Sequence, residues 1–262
     1  MRFSLTLTLI NSKLNKIPIN YQYPLSSAIY HIIAKGDPTY ADFLHENGYG
    51  RGFKFFTFSQ INVPFKIEGD RLRLTRPEMS FEVAFHVPEA MESFIKGLFT
   101  SEKIDIADKK SKASFHVSSV ESVPNPLAPY KKNEIVPKKL KPLSPVVAGI
   151  PNERRYDDYL EPNDPLYIQN LIYNWRSKIA DCFDQDTASA AILMMEIIPE
   201  QRPFKSRLIT IKADTDEETK IRGWMNFELK VTAEKRFMEL LLNSGIGLYN
   251  AQGMGCVEVL KD

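Results

Sequence analysis

"NSGIGLYNAQGMGCVEV", residues 243–259, decides the fold by its order: Gly245, Gly247, Gly253 and Gly255 lie after a helical pattern and before a strand pattern. Upstream, "AEKRFMELLLNSG" (233–245) repeats its apolar residues at helical spacing, and downstream "GCVEVL" (255–260) reads as a strand. A dinucleotide-binding fingerprint needs its glycines after a strand and before a helix, so the order excludes it. A nucleotide P-loop is excluded as well, because no Gly-Lys-Ser/Thr closes the segment. Glycines admit positive φ and close backbone approach, and successive N–H groups can cradle a phosphate. A helix C-cap at Gly245 with a tight turn at Gly253 would explain two glycines, and four within eleven residues point instead to a backbone-phosphate site.

Working outward through the second half, the patterns give a strand at "LSPVVAGI" (143–150), a long helix in "DPLYIQNLIYNWRSKIADCF" (164–183), and strands at 190–199, 204–213 and 220–231. The helix and final strand flanking the glycines complete it. The first half has the same plan. Phe3, Leu5, Leu7 and Leu9 share one face of a period-2 strand, and "YPLSSAIYHIIAKG" (23–36) and "PTYADFLHENG" (38–48) are helices closed by glycine. Residues 52–76 read as two strands or a hairpin, 77–87 as a strand, 88–99 as a helix beginning at Pro88, and 112–123 as a strand. A βαββαβ order stated twice predicts an α+β protein of two tandem ferredoxin-like domains, residues 1–122 and 141–262. Between them, 123–140 is rich in proline and lysine, lacks either period, and is expected to be a linker or surface arm.

Composition narrows the function. With 34 Lys and Arg against 33 Asp and Glu, the net charge is +1, so any polyanion site must be a local patch. The two cysteines are far apart within apolar patterns, which fits free thiols in a reducing compartment. The N-terminus reads as a strand and no run is long enough to span a bilayer, so a cytoplasmic protein without membrane contact is expected. No Cys or His cluster has metal-ligand spacing and no cofactor loop is present, so neither metal nor cofactor is expected.

Some residues invite a chemical reading. His45 ends a helical pattern beside the glycine-bearing turn "ENGYGRGFK" (46–54), where its ring could reach a bound strand or simply cap and pack. Arg202, Lys205 and Arg207 fall on an apparent hairpin. Lys131, Lys132, Lys138 and Lys139 could add salt-sensitive attraction to a polyanion.

The glycine segment resembles the C-terminal signature of the repeat-associated RAMP superfamily. The opening strand "MRFSLTL", the helix "AIYHII", "LHENGYGRGFKFFTFS" and "LSP" at 143–145 are similar, in matching order, to the Cas6 family of CRISPR endoribonucleases. The resemblance implies a metal-independent endoribonuclease that binds CRISPR repeat RNA and cuts precursor transcripts into guide RNAs. The RNA's own 2′-hydroxyl would attack, leaving 5′-hydroxyl and 2′,3′-cyclic phosphate ends. It also implies that His45 is catalytic, that Tyr30 positions the 2′-hydroxyl, and that Lys54 stabilises the charge developing on phosphorus, with Arg51 competing for that role. The RNA would lie against Gly245, Gly247, Gly253, Gly255, Arg51 and the hairpin residues Arg202, Lys205 and Arg207. A noncatalytic repeat-binding subunit of an effector complex is the alternative, and a homodimer or contact with other effector subunits is left open.

Overall fold

The computed structural model describes residues 1–101, 103–152, 158–213 and 215–260. The first half contains β1 (Arg2–Leu9), β2 (Lys16–Pro18), α1 (Gln22–Gly36), α2 (Pro38–Glu46), β3 (Phe56–Phe58), β4 (Phe65–Glu68), β5 (Arg71–Leu74), β6 (Glu78–Phe85), α3 (Pro88–Thr100), β7 (Lys103–Ala107) and β8 (Lys112–Ser122). The second contains β9 (Ile135–Pro142), β10 (Gly149–Ile150), β11 (Asp158–Tyr159), α4 (Pro165–Cys182), α5 (Gln185–Ala190), β12 (Met194–Pro199), β13 (Lys205–Ile211), β14 (Thr219–Met225), β15 (Phe227–Glu234), α6 (Lys235–Ser244) and β16 (Val257–Val259).

The main sheets run β3-β6-β1-β8-β7 and β12-β15-β9-β16. Counting only the strands of each βαββαβ unit, both are ordered 2-3-1-4 and wholly antiparallel, which is the ferredoxin-like arrangement. The alternation in β1 fixes its register: Leu5 faces Phe81, Leu7 faces Met79, and Leu5, Leu7 and Leu9 are all buried. A slip of one residue would turn that leucine row to solvent. The sheet β2-β5-β4 and the hairpin β13-β14 are insertions outside the two main sheets.

The expected linker is corrected by the structure. Residues 135–140 belong to β9, which lies between β15 and β16 at the heart of the second sheet. Val136 and Leu140 are buried, while the open face carries Ile135, Pro137, Lys139 and Lys141, so the period is present but thinly populated. Lys138 falls on the inner face and extends its amine over the Tyr130 ring, 5.1 Å from the centroid. The Leu260 N–H donates to the Lys139 carbonyl, so odd positions of β9 direct their backbone toward β16. Pro137 points the same way beyond the end of β16, where its missing N–H costs no ladder bond.

"LSPVVAGI" is therefore not the first strand of the second unit. It makes single bridges, Val146 to Trp224 and Val147 to Gly247, before the short β10. The strand expected over 220–231 is two strands in different sheets, because Asn226 at φ 66° turns the chain between β14 and β15. Cys182 and Cys256 are free thiols. No helix among the described residues is long and apolar enough to cross a membrane.

Two large cores follow the two halves, and a few contacts lock them together. Phe55, at φ 49°, joins the second core, while its neighbour Phe56 joins the first. Arg2 donates to the carbonyls of Leu242 (2.8 Å) and Val257 (2.7 Å), and the Thr57 hydroxyl donates to the Met254 carbonyl at 2.9 Å.

Candidate active site

Local chemistry brings His45 to the surface. Asp37 caps α2 by accepting from the Tyr40 N–H, Pro38 occupies the first turn, and Ala41 and Leu44 anchor the helix in the core. His45 follows Leu44 and so points away from that core; it is exposed. The N–H groups of Asn47 and Gly48 both donate to the Phe43 carbonyl, and Tyr49 and Phe53 exchange backbone bonds of 2.8 and 2.9 Å. This tight turn doubles the chain back, and the Lys54 Nζ donates to the His45 carbonyl at 3.0 Å.

Tyr30, half-buried on α1, sits edge-on to the His45 ring and also to Phe56, with centroids 5.5 Å apart in each pair. Thus Tyr30, His45 and Lys54 line one groove of about 490 Å³. Burial raises the Tyr30 phenol above its ordinary pKa, which keeps it a hydrogen-bond donor and unsuits it to act as a base. Burial also lowers the Lys54 amine. His31 lies on the same groove, and its Nδ1 donates to the Ser27 carbonyl at 2.9 Å.

The opposite wall comes from α4 and the glycine segment. Tyr167, Leu171, Asn174, Trp175, Lys178 and Ile179 form the buried stripe of α4, so Asn174 and Lys178 are carried inward by helical spacing. Lys178 is only 2% exposed, and its Nζ donates to the Gly245 carbonyl (2.8 Å) and Asn250 Oδ1 (2.6 Å). Both acceptors are neutral, and burial lowers the amine's pKa to about 7. Sequence reading missed these two residues, although polar side chains on an apolar stripe were the available signal.

The four glycines are buried, and the bonding of three of them leaves no N–H for a phosphate. The N–H groups of Gly245, Gly253 and Gly255 donate to the carbonyls of Leu241, Asn250 and Pro145. At Gly255, φ is +67° and a Cβ would lie 1.9 Å from the Ile246 carbonyl oxygen. These residues fold the segment tightly, so that Gly247 through Gln252 form the groove wall.

Arg51 does not line the groove. Its guanidinium bonds Asp181 Oδ1 (3.0 Å) and the Ser177 carbonyl (3.2 Å) on α4, tying the turn to the second half. Arg207 faces inward, donating to the Ile19 carbonyl and lying over the Tyr21 ring. Arg202 and Lys205 are exposed, at the opposite end of the hairpin from Lys212, which does line the groove. On the hairpin's outward face the exposed cations are Lys220 and Arg222. Of the clustered phenylalanines, Phe55, Phe56 and Phe58 are buried and Phe53 alone is half-open on the groove.

Tandem ferredoxin-like units thus gather a histidine, a tyrosine and a lysine on one cleft, and comparison with known proteins identifies the family. The family model described as CRISPR associated protein Cas6, C-terminal, matches residues 128–259, and that described as CRISPR-associated protein Cas6, N-terminal, matches residues 16–121. The chain belongs to the Cas6 family. It is 26% identical over 250 residues to the CRISPR-associated endoribonuclease Cas6 1 of Methanocaldococcus jannaschii, covering 94% of this chain and 88% of that protein. A solved CRISPR associated protein Cas6 superposes with a TM-score of 0.71 at 24% identity, covering 100% of this chain and 99% of the other. The product of a Cas6-related gene from Pyrococcus furiosus does so with a TM-score of 0.77 at 19% identity, again covering 100% and 99%.

Proposed function

We propose that this protein is a metal-independent endoribonuclease that binds CRISPR repeat RNA and cleaves precursor transcripts into guide RNAs. The observation that carries this reading is the exposed His45 ring, packed edge-on to Tyr30 and sharing a groove with Lys54. The name of the Methanocaldococcus jannaschii relative, an endoribonuclease, supports the same reading.

In this mechanism the 2′-oxygen of the RNA attacks the adjacent phosphorus and the 5′-oxygen departs. The bond made closes a 2′,3′-cyclic phosphate, and the bond broken frees a 5′-hydroxyl. His45 is the proton-transfer group, as base at the 2′-oxygen or acid at the 5′-oxygen, because an imidazole ring can both accept and donate a proton. Lys54 is held by the His45 carbonyl, so one contact sets both side chains relative to the phosphate, where the ammonium opposes the developing charge. Tyr30 donates a hydrogen bond and orients the ribose.

Labelled repeat RNA mixed with the protein in EDTA tests this. Cleavage is expected, with a cyclic phosphate end, and a strand carrying one 2′-deoxy sugar at the cut site should remain whole. Tight binding without any product would select the noncatalytic subunit instead.

A further inference from the structure

We propose that the second-half wall of the groove is a nucleobase subsite, in which Asn174 and Gln252 bond the polar edge of one base beside the scissile phosphate; it rests on the function proposed above.

Asn174 is 8% exposed, and its Oδ1 is buried without a hydrogen-bond partner. The Oε1 of Gln252 is in the same condition, and both residues line the groove that holds His45. Other buried polar atoms lacking a bond, such as the Nε1 of Trp224, lie away from it. A native interior rarely leaves such atoms unmet, and two on one groove fit a ligand that carries the missing donors.

The wall bearing them is rigid. Lys178, one helical turn after Asn174, grips Gly245 and Asn250, and the Asn250 amide donates to the carbonyls of Ile246 and Met254, each at 3.1 Å. The Ser26 hydroxyl donates to the Ala251 carbonyl at 2.7 Å. Gln252 therefore projects from a turn pinned on three sides, and a site held in this way binds without first being ordered. The terminal torsion of a carboxamide is soft, so an entering base can draw the oxygen toward it.

Carboxamide oxygens need N–H donors, which an amino-bearing base supplies from its exocyclic amine, and amide side chains pair well with base edges. Tyr249 brings an aromatic ring to the same groove, the usual companion of base reading in single-stranded RNA, while the Phe53 ring there is already stacked on Phe55 with the Lys178 amine over it. The groove volume, about 490 Å³, lies within the range of about 300–1,000 Å³ typical of small-ligand pockets. Lys54, on the facing wall, is left for the phosphate.

The test uses full-length protein and repeat RNA made uncleavable by a 2′-deoxy sugar, with single abasic substitutions stepped across the cut site. In the wild type, loss of one particular base should weaken binding about tenfold or more, as expected for a lost hydrogen bond with its stacking. Asn174→Ala and Gln252→Ala should each weaken intact RNA by about tenfold and shrink the abasic penalty at that one position alone. Because Gln252 lies on a half-buried turn, its variant keeps the test valid should Asn174→Ala fold poorly. A flat abasic profile, or a penalty undiminished in both variants, overturns the subsite even if His45-dependent cleavage stands. Failure to bind any repeat RNA overturns both the subsite and the function.

Discussion

The two halves share one strand order and use it for opposite purposes. In the first, α1 and α2 turn Tyr30 and His45 outward, and a glycine-bearing turn brings Lys54 alongside. In the second, α4 turns Asn174 and Lys178 inward, and the glycine segment closes over them. Each half binds a lysine amine to a backbone carbonyl, at His45 and at Gly245. Lys54 is half-open to solvent, whereas Lys178 is enclosed with a pKa near 7. An enclosed amine of that kind is a poor constant charge but a good fastener. In the proposed function, one copy of the shared plan supplies the reactive groups and the other a fixed wall.

The sharpest way to break this contrast is at the reactive half. His45→Ala should lower the cleavage rate by about 10²–10⁴-fold, while the thermal midpoint stays at that of the wild type, since the ring is exposed. A variant that cuts RNA at the parent rate would remove His45 from the chemistry. At the fixed half the effect should reverse, touching stability first. Gly255→Ala forces a Cβ against the Ile246 carbonyl at positive φ and should cost about 3 kcal/mol, read from urea unfolding.

Lys178 offers a pH test of enclosure. Its folded pKa, about 7, lies below the ordinary lysine value, so between these the unfolded chain holds more protons and stability rises with pH. From pH 7 to 9 the wild type should gain up to about 1.4 kcal/mol per pH unit relative to Lys178→Met, by parallel denaturant titrations. Equal slopes would show that the amine is hydrated. The smallest effect concerns the tie between halves. Arg51 pairs with Asp181 at a partly exposed site, so Arg51→Ala should cost under about 1 kcal/mol and leave cleavage within a few-fold of the parent. Lys54→Ala, in contrast, should reduce the rate by about 10²-fold.

Legibility followed the range of the interactions. β1, α1, α3 and α6 were readable because their apolar periods are dense and local. β9 was not, since Lys138 falls on its inner face and two prolines interrupt it; only pairing with β15 and β16 makes it a strand. Residues 220–231 hid a sheet change because one asparagine in the left-handed region leaves no mark on the period. Among the site residues, Tyr30, His45 and Lys54 came from motif likeness and converge on one groove. Arg207 was misjudged in direction, as its charge was visible and its partners, Ile19 and Tyr21 of the other half, were not.

By itself the sequence determined the order of most elements and the chemical types available to a site, because periodicity and capping are properties of neighbouring residues. Tertiary structure alone decided which glycine N–H groups remained for a ligand, which cations faced outward, and that Asn174, Lys178 and Gln252 share a wall. Those outcomes depend on atoms brought together from distant parts of the chain, where burial and hydrogen-bond competition are settled by packing and leave no local trace.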